Sequence, residues 1–128
     1  EREGIGENGR SVQKGDNEMN VNSKVITALS TIGIPVSANV YTGAATEYIT
    51  FNYADERPSV YADNIDILDE VTIQVHYYTK GNPSQKKKSI RDKLRENGFT
   101  IKSVQEMYES ETKDFHVVIY AWIEGAVE

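Results

Sequence analysis

Apolar residues recur with a helical period near the beginning of the chain. Those on one face, spaced by four, four and three positions, are Val21, Val25, Leu29 and Ile32. This spacing predicts a helix over residues 22–32. Asn22 or Ser23 is expected to cap its first turn, and Gly33 stands where a helix ends. Pro35 prevents the helix from resuming, because its nitrogen cannot donate a backbone hydrogen bond.

Alternation of apolar and polar residues predicts the strands that follow. A short extended piece over residues 36–41 precedes residues 48–53, where aromatic and β-branched side chains indicate a strand. The clearest strand covers residues 71–78. One of its faces holds Val71, Ile73, Val75 and Tyr77. The other holds Thr72, Gln74, His76 and Tyr78. A strand with this pattern buries its first face in a core.

A second helix is predicted over residues 84–97. Ser84 is expected to cap it, and Gly98 stands at its end. Its apolar stripe is narrow, because only Ile90 and Leu94 supply it. The helix is therefore expected to touch the core along one line and to expose its other sides.

A hairpin is predicted at the end of the chain. Residues 100–108 and 115–123 form its strands, and residues 109–114 form the turn between them. The last strand is apolar on both faces. It is therefore expected to be either central to the sheet or covered by a neighbouring subunit.

The order of these elements is typical of an α+β fold. We predict a mostly antiparallel sheet of four to five strands with two helices packed on one face. Residues 54–69 are predicted as a long connection, of a length that is more often functional than decorative. Residues 1–18 are rich in glycine and charge and are predicted as a disordered N-terminal extension, with Met19 as the native start. A single domain then occupies residues 19–128.

Composition excludes some classes of protein. The 128 residues contain 38% hydrophobic residues, and no run approaches the roughly 18 apolar residues that span a bilayer. No charged-then-apolar leader is recognised, so secretion is not expected. Cysteine is absent, which excludes disulfides, thiol nucleophiles and cysteine-based zinc sites. The net charge of −6 argues against a general affinity for nucleic acid.

Residues that could support catalysis or metal binding form no recognised motif. His76 and His116 are the two histidines, and a metal site built from both would require their strands to pair side by side. Surface or subunit-contact histidines are the expectation. The acids of residues 63–70 lack the glycine and the final glutamate of a calcium loop, and no phosphate-binding loop or nucleophile elbow occurs. We therefore expect no enzymatic activity, no metal and no cofactor.

Charge is distributed unevenly between two segments. Residues 54–70 hold six acids and one base, and residues 80–95 hold seven bases and one acid. The bases can be an ordinary solvated helix face, or they can meet DNA in a pore or the acidic segment of an adjacent copy in a head-to-tail ring. The eight tyrosines suit surfaces that a partner covers. The candidate interface residues are Asp55, Glu56, Tyr61, Asp63, Asp66, Asp69, Lys86, Lys87, Lys88 and Arg91.

Several segments, in their order along the chain, resemble one protein family. They are MNVNSKVITAL at residues 19–29, GIPV at 33–36, YITF at 48–51, YAD at 61–63, IQVHYY at 73–78, LRENGF at 94–99, and the closing strand through Trp122. Together they resemble the small tail-completion, or tail terminator, proteins of long-tailed bacteriophages and of prophages in low-GC Gram-positive bacteria. The resemblance spans roughly residues 21–124.

The resemblance implies a structural virion protein of the tail and neck, present in the host cytoplasm during assembly. It implies an α+β subunit that is monomeric in solution or forms a hexameric ring, caps the tail tube and joins the tail to the filled head. The implied partners are further copies of the chain, the tail tube protein and head–tail connector proteins, with DNA only in transit through the lumen. No membrane partner is implied, and the family supplies no catalytic or cofactor-binding residues.

Two other functions fit the same residues. A head–tail connector or minor tail component of the neck would have a similar size and similar contact surfaces. A small-ligand-binding regulatory domain could be built on a similar sheet with two helices, and it would require a concave, partly apolar pocket.

Overall fold

The computed structural model of this protein describes residues 20–62 and 65–126, and for residues 60–62, 65–67 and 126 it describes the backbone alone. The predicted extension over residues 1–18, the predicted start at Met19 and the candidate Asp63 therefore lie outside the described residues.

The described chain forms two helices and a five-stranded sheet. In chain order the elements are α1 (Val21–Leu29), a single 3₁₀ turn (Ser30–Ile32), β1 (Val36–Ala38), β2 (Tyr48–Ala62), β3 (Ile65–Thr79), α2 (Ser84–Glu96), β4 (Thr100–Glu109) and β5 (Asp114–Ala126). The strands are arranged in the order β1-β2-β3-β5-β4. The pairing of β1 with β2 is parallel, and the other three pairings are antiparallel. These findings confirm the predicted α+β fold with a mostly antiparallel sheet.

The position of β5 explains its two apolar faces. It lies between β3 and β4, so both of its edges are paired along most of its length. Of the two explanations that the sequence left open, the structure shows the first, a central strand.

The hydrophobic core joins both helices to one set of alternating strand residues. From the helices it takes Val21, Val25, Ala28, Leu29, Ile90 and Leu94. From the sheet it takes Ile49, Phe51, Val71, Ile73, Val75, Tyr77, Val117, Ile119, Ala121 and Ile123, with Phe99 between α2 and β4. The predicted apolar face of β3 and the narrow stripe of α2 are thus both buried. Each of these large side chains contributes roughly 1.5–3 kcal/mol when it leaves water.

The N-terminal cap of α1 differs from the prediction. The backbone N–H of Ser23 donates to Oδ1 of Asn20 at 3.1 Å, so Asn20 caps the helix, and neither Asn22 nor Ser23 does. The pattern misplaced the cap because Val21, already buried, is the first helical residue. Gly33 ends the segment as predicted, with a φ of 94° that favours glycine.

The start of α2 is also one residue different from the prediction. The backbone N–H of Ser84 donates to Oδ1 of Asn82 at 2.9 Å, so Ser84 is the first helical residue and its own hydroxyl does not cap. The side chain of Asn82 makes this turn immediately before Pro83. Gly98 follows the helix with a φ of 95°.

Residues 54–69 are not a connection, and that prediction is wrong. The described residues 54–62 and 65–69 belong to β2 and β3, which pair with each other from Asp55↔Thr72 to Ala62↔Ile65. Register shifts near residues 54 and 59–61 break the strict alternation, so the period of two is lost in the sequence. Pro58 is tolerated because this part of β2 has a strand neighbour on one side alone among the described residues.

Candidate functional site

The second face of the sheet carries most of its chemically distinctive side chains. We call it the polar face and define it by residues that are in register and alternate with the core positions: Tyr48, Thr50, Asn52, Thr72, Gln74, His76, Tyr78, His116, Val118, Tyr120 and Trp122. None of these belongs to the hydrophobic cluster of the described residues. The predicted split of β3 into an apolar and a polar side is therefore present in the structure.

A row of stacked rings crosses three strands of the polar face. The ring centroids of Tyr48 and Tyr78 lie 4.8 Å apart, and those of Tyr78 and His116 lie 4.3 Å apart. The three residues are cross-strand partners in the register of the sheet. Because neighbouring strands are about 4.8 Å apart, planar side chains in register stack face to face. The row extends at one end to Tyr41, whose ring lies 4.5 Å from that of Tyr48.

Tyr41 is fixed by the loop that connects β1 to β2. The backbone N–H of Ala45 donates to the Tyr41 hydroxyl at 2.9 Å. The same hydroxyl lies so close to Gly43 that a Cβ on that residue would collide with it. The absence of a side chain at Gly43 therefore permits the loop to fold over the end of the aromatic row.

The two histidines are in direct contact on this face. Nδ1 of His76 lies 2.9 Å from Nε2 of His116. The contacts continue from His76 to Tyr120. Nε2 of His76 lies 3.1 Å from Oε1 of Gln74, and the Gln74 amide nitrogen donates to the Tyr120 hydroxyl at 3.1 Å. At the other end of the histidine pair, Nδ1 of His116 lies 3.1 Å from a carboxylate oxygen of Glu109. These five residues form one hydrogen-bonded chain across β4, β5 and β3.

Sequence reasoning considered the two histidines as a metal pair or as surface or subunit-contact residues, and it did not predict this hydrogen-bonded chain. Their strands do pair side by side, but the ring nitrogens touch directly. Two zinc–nitrogen bonds of about 2.0–2.1 Å at a tetrahedral angle would place those nitrogens about 3.3 Å apart. Among the described residues, no group of three or more histidine, cysteine or acidic side chains is placed to hold a metal ion. The strand register could have revealed the contact. Tyr78 is paired with His116, so His76, two residues before Tyr78, lies diagonally across from His116.

Electrostatics on the polar face favour neutral side chains. Burial, and secondarily the neighbouring His116, hold the pKa of His76 below its usual value. Burial is also the main reason that the pKa values of Tyr48 and Tyr78 are raised, with the carboxylates of Asp114 and Glu109 adding to the effect. The tyrosine hydroxyls of the row therefore remain protonated and can donate hydrogen bonds.

The acidic candidate residues lie along the paired halves of β2 and β3. Asp55 is bound to Arg57 at 2.7 Å, while Glu56 is exposed and Asp69 is half-buried. Among the described residues, neither Glu56 nor Asp69 forms an ion pair. Tyr61 of β2 is paired with Asp66 of β3, and the structure describes the backbone alone for these two residues.

The basic candidates of α2 already have partners in the same chain. The pairs are Lys86 with Glu47 at 3.3 Å, Lys87 with Glu106 at 2.8 Å, and Lys88 with Asp92 at 2.7 Å. Arg91 differs, because its Nε is buried and has no hydrogen-bond acceptor among the described residues. Exposed ion pairs contribute only about 0–1 kcal/mol. The three lysines are therefore balanced in the isolated chain, and a partner could exchange these pairs at little cost.

A shallow cleft opens near the start of α1. It measures about 350 Å³ and is lined by Asn22, Ala38, Asn39, Phe51, Asn52 and Tyr53. Its volume is at the lower end of the range found for small-molecule sites. None of the candidate interface residues whose side chains the structure describes lines it.

The fold and the polar face define a class: a small α+β domain whose distinctive groups lie on the face of the sheet opposite the core. No protein-family model matches the chain, and the search of curated proteins found no match. Within the described ranges, no helix has the length and apolar character needed to cross a membrane.

Proposed function

We propose that this chain is a structural assembly subunit without catalytic function: a tail terminator that caps the phage tail tube and joins the tail to the head. Its fold is the α+β fold that the family resemblance implies. The observation that carries the proposal is the edge of β2 over residues 54–62, where β3 is the one strand neighbour among the described residues and where another protein chain can make contact.

Over residues 54–62, the edge of β2 that faces away from β3 has no strand neighbour among the described residues. β1 pairs with residues 49–51 of β2 and no others. Along residues 54–62 of β2, the antiparallel pairing with β3 reaches Ala62↔Ile65. Such an edge presents backbone N–H and C=O groups that another strand can pair with. The charged residues on it limit uncontrolled aggregation while leaving specific pairing open.

A second open edge lies at the opposite side of the sheet. Among the described strands, β4 pairs with β5 alone. Near the end of β4, Met107 and Tyr108 are 41% and 54% exposed. Two unlike edges on one subunit suit a head-to-tail contact, which closes into a ring when the rotation between copies permits. A hexameric ring of this kind, monomeric at low concentration, is the proposed assembly.

Charge then has the role of steering the proposed contact. The acidic segment of residues 54–70 lies on the β2–β3 hairpin, and the basic segment of residues 80–95 includes α2. Because the α2 lysines are already paired within the chain, attraction between the segments adds little net affinity and mainly accelerates encounter. The tail tube protein and the connector proteins are the other proposed partners, and DNA passes only through the lumen.

Electron microscopy of the concentrated protein, with and without purified tail tubes, tests the assembly directly. The expected result is rings of six copies and rings bound at the ends of tubes. Particles that remain monomeric at every concentration and leave tube ends bare would contradict the proposal. Binding to heads or connectors with no binding to tubes would instead favour the connector function.

Charge reversal on the β2 edge tests the proposed contact. Glu56→Lys is expected to reduce ring formation without unfolding the monomer, because Glu56 is exposed and forms no ion pair among the described residues. Glu111→Lys is the matched control: it makes the same change at an exposed position in the turn between β4 and β5. Equal effects of both substitutions on sedimentation velocity would remove the β2 edge from the contact.

The basic helix requires a more selective variant than a triple reversal. Changing Lys86, Lys87 and Lys88 together to glutamate would also break the internal pairs with Glu47 and Glu106. Lys88→Glu alone affects a pair within one exposed helix face. We expect Lys88→Glu to slow assembly, and unchanged assembly would argue against charge steering by α2.

The cleft near α1 supports a different candidate, a small-ligand-binding regulatory domain. This function predicts that a ligand raises the melting temperature of the monomer. It also predicts that Asn52→Ala, in the lining of the cleft, abolishes that rise. A thermal-shift screen with no stabilising compound would leave the assembly function as the better explanation.

A further inference from the structure

The hydrogen-bonded chain on the polar face requires more protons than two neutral histidines provide. Three contacts involve ring nitrogens: Glu109 with His116, His116 with His76, and His76 with Oε1 of Gln74. A carboxylate and an amide oxygen only accept, so each of the three contacts needs its own ring N–H. Two neutral imidazoles carry two. With Glu109 ionised and the Gln74 amide in this orientation, satisfying all three contacts would require three ring protons and one positive charge beside Glu109.

The same five side chains form a complete neutral chain after one change. If the Gln74 amide turns by 180°, its NH₂ donates to Nε2 of His76. Nδ1–H of His76 then donates to His116, and Nδ1–H of His116 donates to Glu109. At the other end, the Tyr120 hydroxyl donates to the oxygen of Gln74. Every contact is satisfied with two ring protons, and the direction of each bond from His116 to Tyr120 is reversed.

We propose that His76 and His116 form a one-proton switch, in which a proton bound beside Glu109 turns the Gln74 amide and reverses the hydrogen bond of Tyr120. In the protonated state, the Tyr120 oxygen accepts from Gln74, and its own hydrogen is free to donate outward. In the neutral state, the Tyr120 hydroxyl donates to Gln74, so Tyr120 can only accept any further hydrogen bond. The polar face thus changes between a donor and an acceptor at this position.

The surroundings favour one added proton over two. His116 is shielded, with a side chain 12% exposed, and its partner Glu109 is 42% exposed. The other charged groups at this end, Lys80 and Asp114, are paired with each other at 3.0 Å and largely cancel. A second proton would have to enter His76, which is partly buried beside the first charge.

The remaining groups that face the pair are uncharged. Tyr48 on β2 and Tyr78 on β3 keep their protons near neutral pH, because burial raises both pKa values. Thr50 and Val118 are the direct cross-strand neighbours of His76. Glu109 is therefore the acid that compensates the added charge, and the switch depends on it.

Nitrogen-15 NMR of the imidazole rings tests the switch in the intact chain. As the pH falls from about 8 to about 6, the range in which histidine changes charge, we expect the histidine pair to gain one proton. Over the same range, neutral His76 should change from the Nδ1–H to the Nε2–H tautomer. A His76 ring that keeps one tautomer throughout, or that becomes charged before His116, would overturn the proposal.

Glu109→Gln provides the decisive variant. Its amide can donate to Nδ1 of His116, so the chain is satisfied with two ring protons and Gln74 as placed. Both histidines should then be Nε2–H tautomers at pH 8, and the proton affinity of the pair should fall about tenfold or more. Glu106→Gln is the control, since Glu106 is on the same strand but binds Lys87. Equal titrations in the two variants would also overturn the proposal.

The wild-type titration decides the question even if Glu109→Gln does not fold. The inference does not depend on the assembly function, because it concerns protons within one chain. Failure of ring formation would leave it intact, and a fixed His76 tautomer would leave the assembly proposal intact.

Discussion

The hydroxyl of Tyr77 is a polar group at the end of an otherwise apolar row. Tyr77 is 1% exposed, and its hydroxyl donates to Glu47, which also accepts from Lys86. Burial first, and the bond to Glu47 second, raise the pKa of Tyr77, so the phenol remains a donor. A hydrogen bond to a charged acceptor typically contributes about 1.5–3 kcal/mol.

Tyr77→Phe is therefore expected to lower the free energy of unfolding by about 1.5 kcal/mol, because the carboxylate of Glu47 loses its buried donor. Urea denaturation at neutral pH measures this change. Tyr108→Phe is the control, because Tyr108 is 54% exposed and should change stability by less than about 0.5 kcal/mol. Equal losses in the two variants would contradict a specific role of the Tyr77 hydroxyl.

His76 gives the stability of the protein a dependence on pH. Its pKa is below the ordinary value because of burial and of His116, so below about pH 6.5 the unfolded chain binds a proton that the folded chain does not. Stability should thus fall as the pH decreases from about 6.5 through the lowered pKa. His76→Gln should remove this slope, as measured by urea unfolding at several pH values. A slope that persists unchanged in the variant would assign it to titratable groups other than His76.

At the residue scale, the sequence predicted burial better than partnership. The apolar face of β3 and the pair Ile90 and Leu94 were predicted as core, and all are buried. The contact of His76 with His116 was not predicted, because it joins residues 40 positions apart. Contacts of this kind depend on strand order and register, which local periodicity does not determine.

Among the elements, helix α1 depends on a cap that the pattern placed wrongly. Asn20 accepts the hydrogen bond of Ser23, whereas Asn22 points into solvent within the first turn. Asn20→Ala should therefore destabilise the protein by about 1 kcal/mol, and Asn22→Ala should change it by a few tenths. Thermal or urea unfolding distinguishes them. A larger effect at Asn22 would restore the cap that the sequence suggested.

The β2–β3 hairpin is the element that the sequence described least well. Acidic residues and Pro58 in residues 54–69 are typical of loops. Glu56, Arg57 and Pro58 occur here in a strand and are exposed, at an edge of β2 that has no strand neighbour among the described residues, where charge and a missing N–H are tolerated. Amino-acid composition reflects solvent exposure. An exposed edge strand therefore has a composition similar to that of a loop.

Limited proteolysis distinguishes a paired hairpin from a loop. Glu56 lies in β2 opposite Val71, and Glu111 lies in the turn between β4 and β5. Both side chains are exposed, so a protease specific for glutamate meets similar side chains in different backbones. Cleavage after Glu111 should come first, because cleavage after Glu56 requires local opening of the hairpin. Early cleavage after Glu56 would show that this segment is not paired.

At the scale of the whole molecule, the sequence predicted the class of fold but not the arrangement. Helix periods, alternation in residues 71–78 and the terminal hairpin were sufficient for an α+β fold. The sequence did not determine that β5 lies between β3 and β4, because this arrangement pairs β3 with β5, two strands that α2 separates along the chain. The polar face depends on that arrangement, since it brings Tyr48, Tyr78 and His116 into one row.

The response of the proposed ring to salt distinguishes an edge contact from a charge contact. Backbone hydrogen bonds between strand edges are little affected by ionic strength, whereas attraction between the acidic and basic segments is screened. With a net charge of −6, identical copies also repel each other at long range, and salt weakens this repulsion too.

Between about 0.05 M and about 0.5 M salt, we therefore expect the extent of assembly to change little and its rate to fall. Sedimentation velocity measures the extent, and light scattering after rapid concentration measures the rate. The Lys88→Glu variant should be slow at both salt concentrations, because the steering by α2 is already reduced. Loss of rings at the higher concentration would mean that paired charges hold the copies together, and the α2 lysines would then have exchanged their internal partners for those of a neighbour.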